Sequence, residues 1–277
     1  MGDGGARSVG LVGAGAMAQA LLHGLLAGGA LPPQRLSVSN RGDRGRLSQA
    51  AALGVHTTGD KAELCRRSDV ILLAVKPKDA FAACRQLRPH LEERHLIVSV
   101  VAGLRRDVLR SQLGAHRRIM RAMPNTGSVI GASATAIARD GDPDDLWQAT
   151  ELLSVLGPVE VVDEAQLDAV TALSGSGPAY IYLLIEAMIA AGVAEGLPEA
   201  VARSLTLQTA LGAARMAVET GRRPEELRQQ IASPGGTTVA ALQVLEGHRL
   251  RQTVGLAVRR AKERASAIGR TFDEASG

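Results

Sequence analysis

Gly13, Gly15 and Ala18 fall on a G-x-G-x-x-A spacing, directly after the apolar residues Val9, Leu11 and Val12 and where an apolar run opens at Met17. Those residue types suit one piece of chemistry. The first glycine permits a tight turn, the second lets the backbone approach a pyrophosphate, and the third small residue packs a helix against a strand. Unpaired N–H groups at the helix start then meet the phosphates, at the positive end of the helix dipole. Gly13, Gly15, Ala16, Met17 and Ala18 are therefore expected against a dinucleotide; a glycine-rich turn of purely structural purpose is the alternative.

A second stretch concerns which dinucleotide. An NAD site of this kind ends its second strand on Asp or Glu, which bonds the ribose diol. Here Ser39, Asn40 and Arg41 stand in that place, with Arg44 and Arg46 following. Positive charge replaces the acid. That reads as a pocket for the 2′-phosphate of NADP, with Asn40 and Arg41 as contacts, although a solvated basic loop has the same look.

Two further stretches lie late in the chain. Ser174-Gly-Ser-Gly-Pro-Ala-Tyr180 places proline just inside a helix, an amino-terminal signal. Ser233-Pro-Gly-Gly-Thr-Thr238 breaks regular structure and opens another helix, with Thr237 or Thr238 placed to cap it. Such a start offers backbone donors to an anion, and a small substrate carboxylate is the natural candidate. A helix-breaking linker with a cap fits the same residues.

These groups need elements to hold them. The periodicity predicts strands at Val9–Val12, Leu36–Ser39, Val55–Thr57, Asp69–Val75, Leu96–Val101, Arg118–Ala122, Ala134–Ala138 and Val159–Val162, with helices between. The near-continuous apolar run Asp69–Val75 is what a parallel strand buried on both faces requires. Ligands in doubly wound sheets lie beyond the carboxyl ends of strands, so Ala74, Val75, Lys76 and Pro77 should border the cofactor; Lys76 reads equally as a surface charge. Pro124 ends a strand, which sends Asn125 and Thr126 toward the cleft, and Asn125 reads equally as a turn former. From Leu167 to Ala267 the pattern is helical. The expected organisation is a Rossmann-type α/β domain over 1–163, with a doubly wound, mostly parallel sheet, and an all-helical domain over 164–277. The run from Tyr180 to Val193 is apolar nearly all round, so a second subunit should cover it in an interlocked dimer.

The 277 residues are 45% apolar and 22% charged, a globular composition. Aromatics make up only 2%, which leaves no stacking platform for bases and argues against nucleic acid. Cys65 and Cys84 lack metal-ligand spacing and a nucleophile's setting; no metal is expected. The first strand begins within a few residues of Met1 with no apolar signal core, and Pro178–Val193, interrupted by Glu186, is shorter than the roughly 20 residues that span a bilayer. A cytoplasmic protein without membrane contact is the expectation.

Taken together, Gly10 to Ala18, Ala74 to Pro77, Met123-Pro-Asn-Thr126, Ser174 to Tyr180 and Ser233 to Thr238 resemble the pyrroline-5-carboxylate reductases nearly end to end. The resemblance implies NAD(P)H-dependent reduction of a cyclic imino acid, L-1-pyrroline-5-carboxylate, to L-proline, the last step of proline biosynthesis. NADP or NAD would serve, with NADPH favoured by Asn40, Arg41 and Arg44. It further implies a homo-oligomer of dimers interlocked through the carboxy-terminal helices and assembled into a decamer. On this pattern Met123, Asn125 and Thr126 seat the nicotinamide, and Ser174, Gly175, Ser176 and Gly177 line the substrate. Ser233, Gly235, Gly236, Thr237 and Thr238 form the rest of the substrate site, in which the N–H groups of Gly236, Thr237 and Thr238 hold the carboxylate and the Thr238 hydroxyl, the catalytic assignment, bonds the ring nitrogen. Gly127 departs from the family's usual proline.

Two rivals share part of this pattern. The β-hydroxyacid dehydrogenases resemble a G-x-G-x-x-x-K-x-x-N pattern with lysine as acid/base, but Ile181 and Leu184 occupy those positions here. A non-catalytic NADP-binding sensor would have no use for Ser233 to Thr238.

Overall fold

A computed structural model of the chain describes residues 7–29, 31–40, 42, 44–114 and 116–276. In chain order these form β1 (Val9–Val12), α1 (Ala16–Ala27), β2 (Leu36–Ser39), α2 (Arg44–Ala52), β3 (His56–Thr58), α3 (Lys61–Arg66), β4 (Val70–Leu73), α4 (Ala80–Leu87), β5 (Leu96–Ser99), α5 (Arg106–Gln112), β6 (Ile119–Met123), β7 (Thr135–Ala138), α6 (Pro143–Ser154) and β8 (Val159–Val162). There follow α7 (Leu167–Val170), α8 (Gly177–Ala194), α9 (Glu199–Thr220), α10 (Pro224–Gln230), α11 (Thr237–Gly247) and α12 (Leu250–Ser276). The chain divides into two compact units, one of residues up to Ser176 joined by the stretch from Arg260 onward, the other Gly177–Arg259.

In the first unit, eight strands among the described residues make one sheet in the order β3-β2-β1-β4-β5-β6-β7-β8. All neighbours run parallel except β6 and β7. The doubly wound, mostly parallel sheet expected from the apolar runs is therefore present. The order reverses beside β1, because β2 and β4 flank it, each in register with Val9–Val12. Such a reversal opens a crevice at the strands' carboxyl ends.

The core explains why the central strands are apolar throughout. Strand side chains alternate between faces. Val70 and Leu72 pack with α1 residues Leu21, Leu22 and Leu25 on one side, while Ile71 and Leu73 pack with Leu64, Cys84 and Leu109 on the other. The end of α12 closes that second face. Phe272 stacks on Phe81 with ring centroids 5.3 Å apart, Arg105 pairs with Asp273 at 3.1 Å, and Gly269 lies so close to the Gly103 backbone that a side chain at either position would crowd it.

The second unit is helical. α8 and α9 pack along each other, Ala202 meeting the open side of Gly192. Gly221, in the left-handed conformation, ends α9, and Pro224 occupies the first turn of α10. Among the described residues of α8 none is buried, and Ile181, Tyr182, Leu183, Leu184 and Met188 are all exposed. An apolar surface of this extent marks an association site.

Candidate active site

The glycine turn is built as its chemistry demands. Gly13 has φ of 117°, and a Cβ there would stand 2.5 Å from the Ala74 carbonyl oxygen, so only glycine fits between β1 and the end of β4. Its N–H donates to the Ser39 carbonyl at 2.8 Å, tying the turn to the end of β2. Gly15 caps α1 with an extended backbone and no side-chain cap among the described residues. Around its would-be Cβ there is nothing within 4 Å. That open space, beside helix N–H groups with no acidic residue in the first turn, fits a pyrophosphate. Ala18 is buried, packing α1 onto the sheet.

A cleft of about 600 Å³ opens there, lined by Gly13, Gly15, Ala16, Met17, Ser39, Asn40, Ala74, Val75 and Lys76. The structure thus gathers the glycine turn, the end of β2 and the end of β4. Pro77, Met123, Asn125 and Thr126 are outside its lining. Arg41 and the side chain of Arg44 lie outside the described residues. Lys61, Lys78 and Arg46 also line the cleft, and the Arg46 guanidinium donates to the Ala14 carbonyl at 3.0 Å. Lys61 comes from the start of α3, far from the motif in sequence, so no local spacing announced it. A wider cleft of about 870 Å³ lies among Arg106, Arg110, Arg117, Arg118 and the acids opening α6. It contains none of the residues expected to do chemistry, and Arg118 is already paired with Asp145 at 2.7 Å.

After β6 the loop Met123–Thr126 is pinned by Asn125. Its Oδ1 accepts from Gly127 N–H at 2.9 Å, its Nδ2 donates to the Ser174 carbonyl at 3.2 Å, and its own N–H donates to Ser133 Oγ at 3.1 Å. The turn-former reading of Asn125 accounts for these contacts. Gly127 is suited to its place, because proline lacks the N–H that Asn125 receives and a side chain would collide with the Ala132 carbonyl. Ser174 and Gly175 end a π-helical turn, Thr171–Gly175, that leads into α8. Such widened turns recur at functional sites.

In the second unit, Gly235 has φ of 70° and Gly236 N–H donates to the Ser233 carbonyl at 3.0 Å. The expected threonine cap is replaced: Gly236 is the cap of α11, and Thr237 and Thr238 are its first two helical residues. Glycine takes the place because Gly235 supplies the positive φ and Gly236 closes the turn with its backbone bond to Ser233. First-turn N–H groups have no carbonyl within their helix to meet, so those of Thr237, Thr238 and Val239 are the donors this turn offers. Neither Ser233–Thr238 nor Ser174–Gly177 carries His, Lys, Asp or Glu. Burial pushes the Cys65 and Cys84 thiols up to about 11 and about 12, which removes them as nucleophiles.

Comparison with known proteins decides the family. The chain is 38% identical over 269 residues to a pyrroline-5-carboxylate reductase of Bacillus subtilis, covering 96% of each. The chain belongs to the pyrroline-5-carboxylate reductase family. Residues 164–268 match the family description "pyrroline-5-carboxylate reductase dimerisation", and residues 8–103 match "NADP oxidoreductase coenzyme F420-dependent". A Coxiella burnetii pyrroline-5-carboxylate reductase superposes with a TM-score of 0.85 at 39% identity, over 95% of this chain and 98% of that one. A Plasmodium falciparum pyrroline carboxylate reductase, solved with NADP bound, gives 0.86 at 30% identity over 95% and 98%.

The reductase family's dimerisation region includes the uncovered apolar helix. The helical run Glu164–Ala194 is 31 residues long and, by length and composition alone, apolar enough to cross a membrane. This corrects the length expected from Pro178–Val193, because the turns from Glu164 continue the helix backward. The dimerisation match spans this run, and the protein is a homo-oligomer.

Proposed function

We propose that this chain reduces L-1-pyrroline-5-carboxylate to L-proline with NAD(P)H, closing proline biosynthesis. The observation that carries the reading is near full-length identity to reductases of that name, joined to a cleft whose glycine turn leaves room for a pyrophosphate.

Gly13 and Gly15 shape the turn, the N–H groups of Ala16, Met17 and Ala18 face the phosphates, and Ala74, Val75 and Lys76 border the nucleotide. When bound, NAD(P)H supplies the hydride that the imine carbon accepts. Met123, Asn125, Thr126 and Pro77 shape the nicotinamide end, with Asn125 acting through the loop it pins. Thr237 and Thr238 N–H groups receive the substrate carboxylate, helped by Val239, while Gly236 spends its N–H on the Ser233 turn. Ser174, Gly175, Ser176 and Gly177 line the ring, and the Thr238 hydroxyl bonds its nitrogen. Threonine orients rather than protonates, being too weak an acid at neutral pH. A protonated iminium already carries the proton that the product amine keeps, so a site without His, Lys or carboxylate in these turns suffices. The same lack argues against a β-hydroxyacid dehydrogenase, which must take a proton from an alcohol.

We further place the enzyme in the cytoplasm, where its two buried free thiols suit a reducing compartment, and assemble its dimers into a decamer. The experiment is a comparison of substrates: pyrroline-5-carboxylate with NADPH should turn over, and a small β-hydroxyacid with NADP should not. Turnover of the hydroxyacid alone would reverse the assignment.

A further inference from the structure

Ser39 ends β2 at the place where a diol-binding acid would stand. It is wholly buried, and the ammonium of Lys61, itself a buried residue, donates to its hydroxyl oxygen at 2.6 Å. Both residues line the nucleotide cleft together with Asn40 and Gly42. Lys61 is held there by local design: Asp60 caps α3 by accepting from Ala62 N–H at 2.8 Å, which sets Lys61 as the first helical residue, and β3 pairs in register with β2 through Thr58 and Ser39. The charge therefore arrives on a sheet-supported helix and not on the basic loop after β2.

We propose that Lys61 is a specificity-determining residue for the cofactor, giving preference to a dinucleotide that carries a 2′-phosphate. A serine hydroxyl has one proton to donate and two lone pairs. Accepting from Lys61 leaves the Ser39 O–H to donate, so the pair presents a proton and a positive charge at the end of β2. A ribose 2′-hydroxyl gains most from an acceptor there, as a carboxylate provides. A 2′-phosphate gains from a donor and a cation, and a cation in a partly buried cleft is screened less than one on an exposed loop. The inference rests on reading the cleft as the NAD(P)H site.

The test uses the full-length enzyme with Lys61→Met and Lys61→Arg. Calorimetry compares adenosine 2′,5′-bisphosphate with 5′-AMP, and steady-state kinetics compares NADPH with NADH. In Lys61→Met, the ratio of affinities for bisphosphate over monophosphate, and of kcat/KM for NADPH over NADH, should fall about 10- to 100-fold, while Lys61→Arg keeps both ratios within about threefold of the parent. Unchanged ratios in Lys61→Met, or equal losses for both members of each pair, would overturn the proposal and leave the reductase reading intact. Failure of the parent protein to bind either adenosine fragment would overturn the cleft reading itself.

Discussion

Asn125 Nδ2 donates to the Ser174 carbonyl at 3.2 Å, joining the loop after β6 to the π-helical turn that leads into α8. The same carboxamide accepts from Gly127 N–H, so one buried side chain fixes two turns. Asn125→Ala removes both bonds and should cost about 1–3 kcal/mol of unfolding free energy. Asn125→Asp keeps the acceptor for Gly127 but sets a carboxylate against the Ser174 carbonyl, and should also lower kcat. Urea unfolding within about 0.5 kcal/mol of the parent for both variants would show that the bridge carries no weight.

Gly13 and Gly15 separate folding from binding. Gly13→Ala forces a side chain onto the Ala74 carbonyl at positive φ, and about 1–3 kcal/mol of stability should be lost. Gly15→Ala has an allowed backbone and open space, so the fold should tolerate it while the new methyl crowds the nucleotide. The check pairs thermal unfolding with NADPH titration, and an unweakened NADPH affinity in Gly15→Ala would remove the pyrophosphate from this turn.

Thr238 is the second residue of α11. If its hydroxyl orients the ring nitrogen, Thr238→Ala lowers kcat about tenfold and leaves the NADPH dissociation constant nearly as it was. Thr238→Ser should recover most of the loss. Full turnover in Thr238→Ala would reduce the hydroxyl to a bystander.

The elements were largely legible in the sequence because strands buried on both faces must be apolar throughout; Val70–Leu73 and Leu96–Ser99 lie inside the runs that announced them. The turn was legible at Gly13 because the geometry there excludes other residues. Lys61 was not, since its approach to Ser39 spans 22 residues and depends on β2–β3 pairing. Nor was the π-helical turn at Thr171–Gly175, which leaves no periodic trace in so short a segment. Threonines beside a helix start suggested a cap, but backbone bonds from the glycine turn took that place.

His95 gives the fold a pH dependence. It is wholly buried, Nδ1 accepts from Glu92 N–H at 2.8 Å, and Nε2 then carries the proton it donates to the Cys65 carbonyl at 3.0 Å. Burial holds the ring below its ordinary 6.5. The unfolded chain therefore binds a proton first as pH falls, so this contribution is complete above about 6.5 and is lost below it, down through the folded value. Unfolding free energy measured near pH 7.5 and near pH 5.5 should drop more in the parent than in His95→Gln; equal drops would contradict the assignment.

Stoichiometry tests the central claim most directly. NADPH consumed and L-proline formed are measured together after pyrroline-5-carboxylate is added to the full-length enzyme. One proline for each NADPH oxidised is the expected result. NADPH that binds but stays reduced in the presence of the imine would contradict the account, leaving a nucleotide-binding protein without this reaction.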